Sequence, residues 1–169
     1  MIILGLDPAI RCTGYGIINM HSVDDLEILD CGVIKNKPKM PHTECLRRIA
    51  GGIRELVKSF RPDVASIEEP FVGRNAKTAI ILGMARGAIL SELAMQDVAV
   101  YPYAPTSAKK AAVGTGKATK EQIAVMMAAQ FDIDTSNILL DSTDALALAV
   151  CHGRYAVRPD LKMLMPKAL

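Results

Sequence analysis

Cysteine and histidine are scarce in this 169-residue chain, and neither is spaced as a zinc ion needs it. The four cysteines stand at 12, 31, 45 and 151, with no C-x-x-C pair, and the three histidines keep no zinc-like spacing to them. That speaks against a zinc site and against a disulfide framework. The opening MIILGLDPAI lacks the basic start and long apolar stretch of a secretion signal. Long apolar runs are missing elsewhere too. The longest, Ala79 to Met95, is interrupted by Arg86 and Glu92, so it reads as a buried helix and not a membrane span. A strong charge of either sign is also absent. The formal net charge is +2, which neither demands nor excludes a nucleic-acid partner. There is no internal repeat and no low-complexity segment. A reducing, cytoplasmic setting is expected.

Half of the residues are apolar, enough for one domain with a sizeable core. MIILGLD, TGYGIIN and LEILDCGVIK read as three closely spaced strands, which favours antiparallel pairing. From Thr43, a candidate N-cap, the period changes, and Ile49, Ile53 and Val57 share one helical face. RPDVASIEE gives a turn and a fourth strand, stopped by Pro70. A second helix is predicted from Asn75 to Met95, and VAVYPY makes a fifth strand. A short helix after Pro105 should close at Gly114, and Thr119 with Gln122 forms a capping-box pattern for the next helix. Asp141 is expected to open the last helix. Residues 1–157 would form one α/β domain: a five-stranded mixed sheet with helices on both faces. Strands four and five would run parallel to strand one. The remaining residues, 158–169, read as a flexible C-terminal tail.

In that topology Asp7 ends strand one, and Glu68 and Glu69 end strand four. The carboxyl ends of parallel strands form the crevice where ligands bind in open α/β sheets. Asp141 and Asp144, three apart at a helix mouth, can face the same place. Clustered carboxylates repel one another and call for cations. Their oxygens suit Mg²⁺ or Mn²⁺, and two such ions can clamp the attacking and leaving oxygens of a phosphoryl displacement. Each acid has a plainer reading. Asp141 can be an N-cap, Asp144 can serve the helix dipole, and Asp7 before Pro8 can be a turn. The two readings of Asp141 and Asp144 stay open on the residues alone. Four lysines (109, 110, 117 and 120) and no acid lie between Pro105 and Lys120. They form either a solvated face or a phosphate-binding stretch, to which Arg74 and Lys77 add.

The segments ILGLDPAIRCTGYGII, ASIEEPFVGRNAKTAIILGMARGAIL, VGTGKATKEQI and DSTDALALAVCH together resemble the RuvC Holliday junction resolvases. The resemblance runs from Ile2 to His152, with the motifs in order. It implies a ribonuclease H-like fold and a homodimer that cuts four-way DNA junctions symmetrically with Mg²⁺, two ions per subunit, for which Mn²⁺ can substitute. It places the catalytic, metal-holding acids at Asp7, Glu68, Asp141 and Asp144, and so chooses Glu68 over Glu69. It gives Lys120 a catalytic role and puts Lys109 close to the DNA. For Phe71 it implies stacking on a base, where composition alone would put a core residue. It also implies an interface at or beside the second helix, where Gly83 and Gly87 would admit another helix, and a RuvA–RuvB type branch-migration complex as partner. One departure stands in the first motif. The family shows Asp-Pro-Gly and this chain has Ala9 after Pro8, which would cost about 1 kcal/mol if φ there is positive. Two other readings compete: a junction-binding protein without cleavage, and an RNA-acting or ATP-binding relative of the wider superfamily. Intact acids argue against the first. The length, too short for a second nucleotide-binding half, argues against an ATPase.

Overall fold

The computed structural model describes residues 1–69, 76–131 and 140–169. In chain order the elements are β1 (Ile2–Asp7), β2 (Cys12–Met20), β3 (Leu26–Lys35), α1 (His42–Phe60), β4 (Val64–Glu68), α2 (Ala76–Ala94), β5 (Ala99–Tyr103), α3 (Pro105–Val113), α4 (Lys120–Phe131) and α5 (Thr143–Val157). The strands form a single sheet in the order β3-β2-β1-β4-β5. β1, β2 and β3 pair antiparallel, while β4 pairs parallel with both β1 and β5. This is the expected mixed sheet.

Strand alternation assigns side chains to two cores. Leu4 and Leu6 of β1, with Ala65 and Ile67 of β4, meet Ile49 and Ile53 of α1 and Ala85 and Ile89 of α2. Ile3 faces the other way, into a core shared with α3, α4 and α5. Gly5 and Asp7 fall in step with Ile3, and Ser66 and Glu68 alternate with Ala65 and Ile67. Asp7 and Glu68 therefore point to the α5 side.

α5 is the central helix, with Thr143 and Ala145 through Gly153 all buried. Its approach depends on a missing side chain. A Cβ on Gly5 would lie 2.0 Å from the Ala145 carbonyl oxygen and 2.9 Å from the Ala149 nitrogen. Glycine is needed here so that helix backbone can rest on strand backbone. That contact seats the first turn of α5 beside the end of β1.

Local signals are met at α3 and α4. Pro105 opens α3 at its first turn and Gly114, at φ 81°, closes it in the left-handed conformation. The capping box is reciprocal: the Thr119 amide donates to Gln122 Oε1 at 2.9 Å, and the Gln122 amide donates to Thr119 Oγ1 at 3.3 Å. Two helix starts differ from expectation. α1 begins at His42 with Pro41 in the cap position, not with Thr43. The fixed φ and extended backbone of Pro41 turn the chain into the helix before the threonine is reached. Asp141 does not open α5. It falls in a 3₁₀ turn, Leu140–Ser142, and Ser142 takes the cap position before Thr143. Ala9 carries no left-handed strain. Among the described residues the positive-φ positions are Arg61, Asp97 and Gly114, and the Ala9 carbonyl accepts from Thr13 Oγ1 at 2.7 Å. Beyond α5, the tail makes another 3₁₀ turn at Lys162–Leu164, and the Leu169 amide donates to the Val100 carbonyl at 2.9 Å. No described helix is long and apolar enough to cross a membrane.

Candidate active site

The acids meet where β1, β4 and α5 end or begin. Asp7 is the last residue of β1, Glu68 the last of β4, and Asp144 lies in the first turn of α5. The Asp144 side chain is 13% exposed and touches two lysines. Lys109 Nζ stands 3.4 Å from Oδ1, and Lys120 Nζ stands 3.5 Å from Oδ2. Lys109 comes from the middle of α3 and Lys120 from the first position of α4. Oδ1 is buried and has no aligned hydrogen-bond donor, so the Lys109 contact is an ion pair without a hydrogen bond.

Glu68 reports the crowding. Burial, then the charges of Asp7 and Asp144, push its carboxyl up from 4.5 to about 7, against the pull of Lys109 and Lys120. Each of these causes disfavours a third negative charge. Glu69, one residue on, is exposed, and its amide donates to the Tyr103 carbonyl at 2.8 Å. Strand alternation thus separates the two glutamates. The apolar Ala65 and Ile67 mark the opposite face, a signal that was available in the sequence.

A divalent cation fits this donor set. The donors are hard carboxylate oxygens, one of them buried without a hydrogen bond, and their mutual repulsion is resolved by positive charge. Among the described residues no three candidate ligands close into a ready metal shell. Glu68 nonetheless lies within electrostatic range of both Asp7 and Asp144. The side chain of Asp141 lies outside the described residues.

The remaining predicted contacts divide. Phe71 and Arg74 lie outside the described residues. Lys77 is exposed at the start of α2, and Lys117 is exposed before α4. Lys110 neighbours Lys109 in sequence but lines a different cleft, with Arg154, Tyr155 and Arg158. Consecutive helical residues point about 100° apart, which sends one lysine to the acids and the other away from them. Arg86, read from sequence as a break in an apolar run, sits in a small cavity with Pro8, Leu82 and Glu68. Its signal was a cation interrupting an apolar run, although α2 is buried on one side only and not all round as the sequence suggested. A larger cleft of about 630 Å³, between β3 and α1, is lined by none of these acids.

Comparison with known proteins agrees with this fold. The family described as "Crossover junction endodeoxyribonuclease RuvC" matches residues 3–152. The protein of that name from Solidesulfovibrio magneticus is 42% identical over 151 residues, covering 89% of this chain and 88% of the relative. The one from Bordetella petrii is 40% identical over 153 residues, covering 90% and 83%. Among solved structures, Thermus thermophilus RuvC in complex with a Holliday junction substrate superposes with a TM-score of 0.88 at 31% identity, covering 100% of this chain and 99% of that one. The yeast mitochondrial Holliday junction resolvase Ydc2, at 12% identity, shares the fold with a TM-score of 0.64 over 96% of this chain and 85% of its own. On sequence and fold together, the chain belongs to the RuvC family of crossover junction endodeoxyribonucleases, with its ribonuclease H-like sheet.

Proposed function

We propose that this protein is a structure-selective endonuclease that resolves four-way DNA junctions by paired, symmetric nicks during recombination and repair. The observation that carries the reading is the meeting of Asp7, Glu68 and Asp144 beside Lys109 and Lys120. Asp7, Glu68, Asp144 and, on the family resemblance, Asp141 hold the divalent cation: two Mg²⁺ per subunit, with Mn²⁺ able to substitute. The bound cations supply Lewis-acid activation and charge neutralisation at the phosphodiester. Lys120 stabilises the negative charge that grows on the non-bridging phosphate oxygens as water adds to phosphorus, before the bond to the leaving oxygen breaks. Lys109 keeps Asp144 oriented and adds positive potential for the backbone. Lys77, Lys110 and Lys117 bind flanking phosphates, as does Arg74, and Phe71 stacks on a base at the branch point.

The active form is a homodimer, because two related cuts call for two sites related by a twofold axis. α2 supports this assignment. Its outer side exposes Ile80 and Met84, and a Cβ on Gly83 or Gly87 would meet nothing within 4 Å. A RuvA–RuvB type complex is the partner at the junction, and four cysteines that form no disulfide suit a cytoplasmic setting. Residues 1–157 are the nuclease domain, and 158–169 an appended tail.

The test is a synthetic mobile four-way junction incubated with the full chain, in Mg²⁺ and in EDTA, with nicks mapped on all four strands. Paired nicks at symmetric positions, lost in EDTA while a gel-shift complex persists, are expected. A complex without nicks in Mg²⁺ would return the protein to a junction-binding role. Equal cutting of unbranched RNA would favour the RNA-acting reading.

A further inference from the structure

Three arginines are half-buried among the described residues: Arg11, Arg86 and Arg154. Two are engaged. Arg11 Nη1 donates to the carbonyls of Lys37 at 2.7 Å and Met40 at 2.9 Å. Arg154 Nη1 donates to the Ala111 carbonyl and, at 3.3 Å, to that of Ala112, closing the end of α3. Arg86 makes no hydrogen bond and no ion pair among the described residues, and its Nε is buried without an acceptor.

Its position makes that isolation informative. Arg86 stands one helical turn from Leu82 on α2, and the two line a small cavity with Pro8 and Glu68. Glu68 also lines a second small cavity, with Lys109 and Asp144. α2 and α3 pack on opposite faces of the sheet, so Glu68 borders the Lys109 cavity on one flank and the Arg86 cavity on the other. Burial disfavours the Arg86 charge and the exposed Glu69 favours it. A guanidinium does not give up its proton at physiological pH. Glu69 offsets part of the Arg86 charge, but the buried Nε is a donor left unmatched within the fold, so an acceptor from outside the fold is what would satisfy it.

The acceptor must be an anion compatible with three carboxylates nearby. A polyanionic strand crossing the acids from Lys109 towards α2 meets that condition, because its phosphates fall on both flanks. The guanidinium fork matches the oxygens of one phosphate. Resting on the nuclease reading of this site, we propose that Arg86 binds a backbone phosphate of the cut strand on the α2 side of Glu68, and so fixes which phosphodiester lies over the acids. It is a positioning residue for the cut.

The test compares wild type, Arg86→Met and Arg86→Lys on four-way junctions that each carry one uncharged methylphosphonate linkage. The linkage is moved stepwise along the nicked strand. Binding, single-turnover rate and nick position are read on each junction, and a thermal melt checks folding. Wild type should show one linkage whose neutralisation slows cutting about tenfold or more, the loss expected for a charge-assisted contact. Arg86→Met should be indifferent at that linkage, normally sensitive at the others, and less uniform in nick position. Arg86→Lys should keep part of the sensitivity, because it keeps the charge without the fork. If every linkage slows Arg86→Met by the same factor as wild type, the arginine touches no phosphate and the proposal falls. Should Arg86→Met fail to fold, the same comparison on Arg86→Lys decides: an unchanged sensitivity profile and rate would overturn the assignment. If wild type itself does not nick, the nuclease reading fails, and the binding profile on the same junctions still judges the arginine.

Discussion

At the scale of single residues, charge and shape can be separated at Asp144. Asparagine keeps its outline and one acceptor oxygen but removes the charge. If Asp144 merely serves the helix dipole, Asp144→Asn should cost at most about 1 kcal/mol and leave cutting nearly intact. The contacts to Lys109 and Lys120 at 3.4 and 3.5 Å, and the pressure of this charge on Glu68, argue for a second role. Cleavage should then fall by orders of magnitude while junction binding persists, with the melting temperature within a few degrees of wild type. A melt and a single-turnover rate on one preparation separate the outcomes, and near-normal cutting restores the helix-dipole role. His152 offers a different residue-scale test. It is buried against the Tyr101 ring, and the Tyr103 hydroxyl lies 2.9 Å from its Nδ1, with Cys151 and Tyr155 beside it on α5. Burial pulls its pKa down from 6.5 to about 4, so the folded protein keeps it neutral. Between those values the unfolded chain binds the proton and the folded chain does not. This contribution is complete above pH 6.5 and declines as pH falls towards 4, by on the order of 3 kcal/mol at most. The stability difference between wild type and His152→Phe, from urea titrations at several pH values, should shrink over that window. A difference that stays flat would mean that His152 titrates alike in both states.

At the scale of elements, the approach of α5 to the sheet decides whether the acids meet. Gly5→Ala would drive a Cβ into the Ala145 carbonyl, 2.0 Å away in the present packing, so α5 or β1 must shift. Overpacking of this kind costs about 1–3 kcal/mol and lowers the melting temperature by roughly 2–4 °C per kcal/mol in a chain of this size. Cutting should drop further than the fraction folded, because the shift separates Asp144 from Asp7. Equal melting and equal rates would show that the close contact does not set the site. Much of this scale was legible in sequence. Periods of two and 3.6, the Thr119–Gln122 box and Gly114 are local signals, and they located the strands, α1, α3 and α4. The helix starts were less legible. Pro41 and the 3₁₀ turn at Leu140–Ser142 are set by how the chain enters each helix, which residue preference alone does not encode. Asp7, Asp144 and the Glu68–Glu69 pair were legible as candidates because strand ends and a helix mouth are sequence features, while the choice of Glu68 came from the family resemblance. That Lys109 reaches Asp144 while Lys110 turns to Arg154 depends on the rotation of α3 against α5. The isolation of Arg86 depends on three separate segments meeting around one side chain.

At the scale of the whole molecule, a single site makes one nick and a junction needs two. α2 joins these facts. Its inner side, Ala85, Ile89 and Leu93, is buried in the fold, while Ile80 is 65% exposed on the outer side near the open Gly83 and Gly87. Glu92 anchors the helix from within, accepting from Arg54 Nε at 2.9 Å and Arg54 Nη2 at 2.6 Å. The outer side can therefore be altered without loosening the helix. In a twofold interface each substitution occurs twice, so Ile80→Glu places a pair of carboxylates where apolar contact is needed. An unpaired charge taken out of water at an interface costs several kcal/mol, which is a weakening of dimerisation by about a hundredfold or more. Because Ile80 is exposed in the single chain, the fold itself should keep its stability, and the melt of dilute protein should be close to wild type. Sedimentation at matched concentrations should then show monomers for Ile80→Glu and dimers for wild type. On a junction held in a small supercoiled plasmid, wild type should linearise the molecule by two nicks in one encounter. Ile80→Glu should release nicked circles first, because each cut needs a separate encounter. A variant that remains dimeric and linearises as wild type does would move the interface off this face of α2.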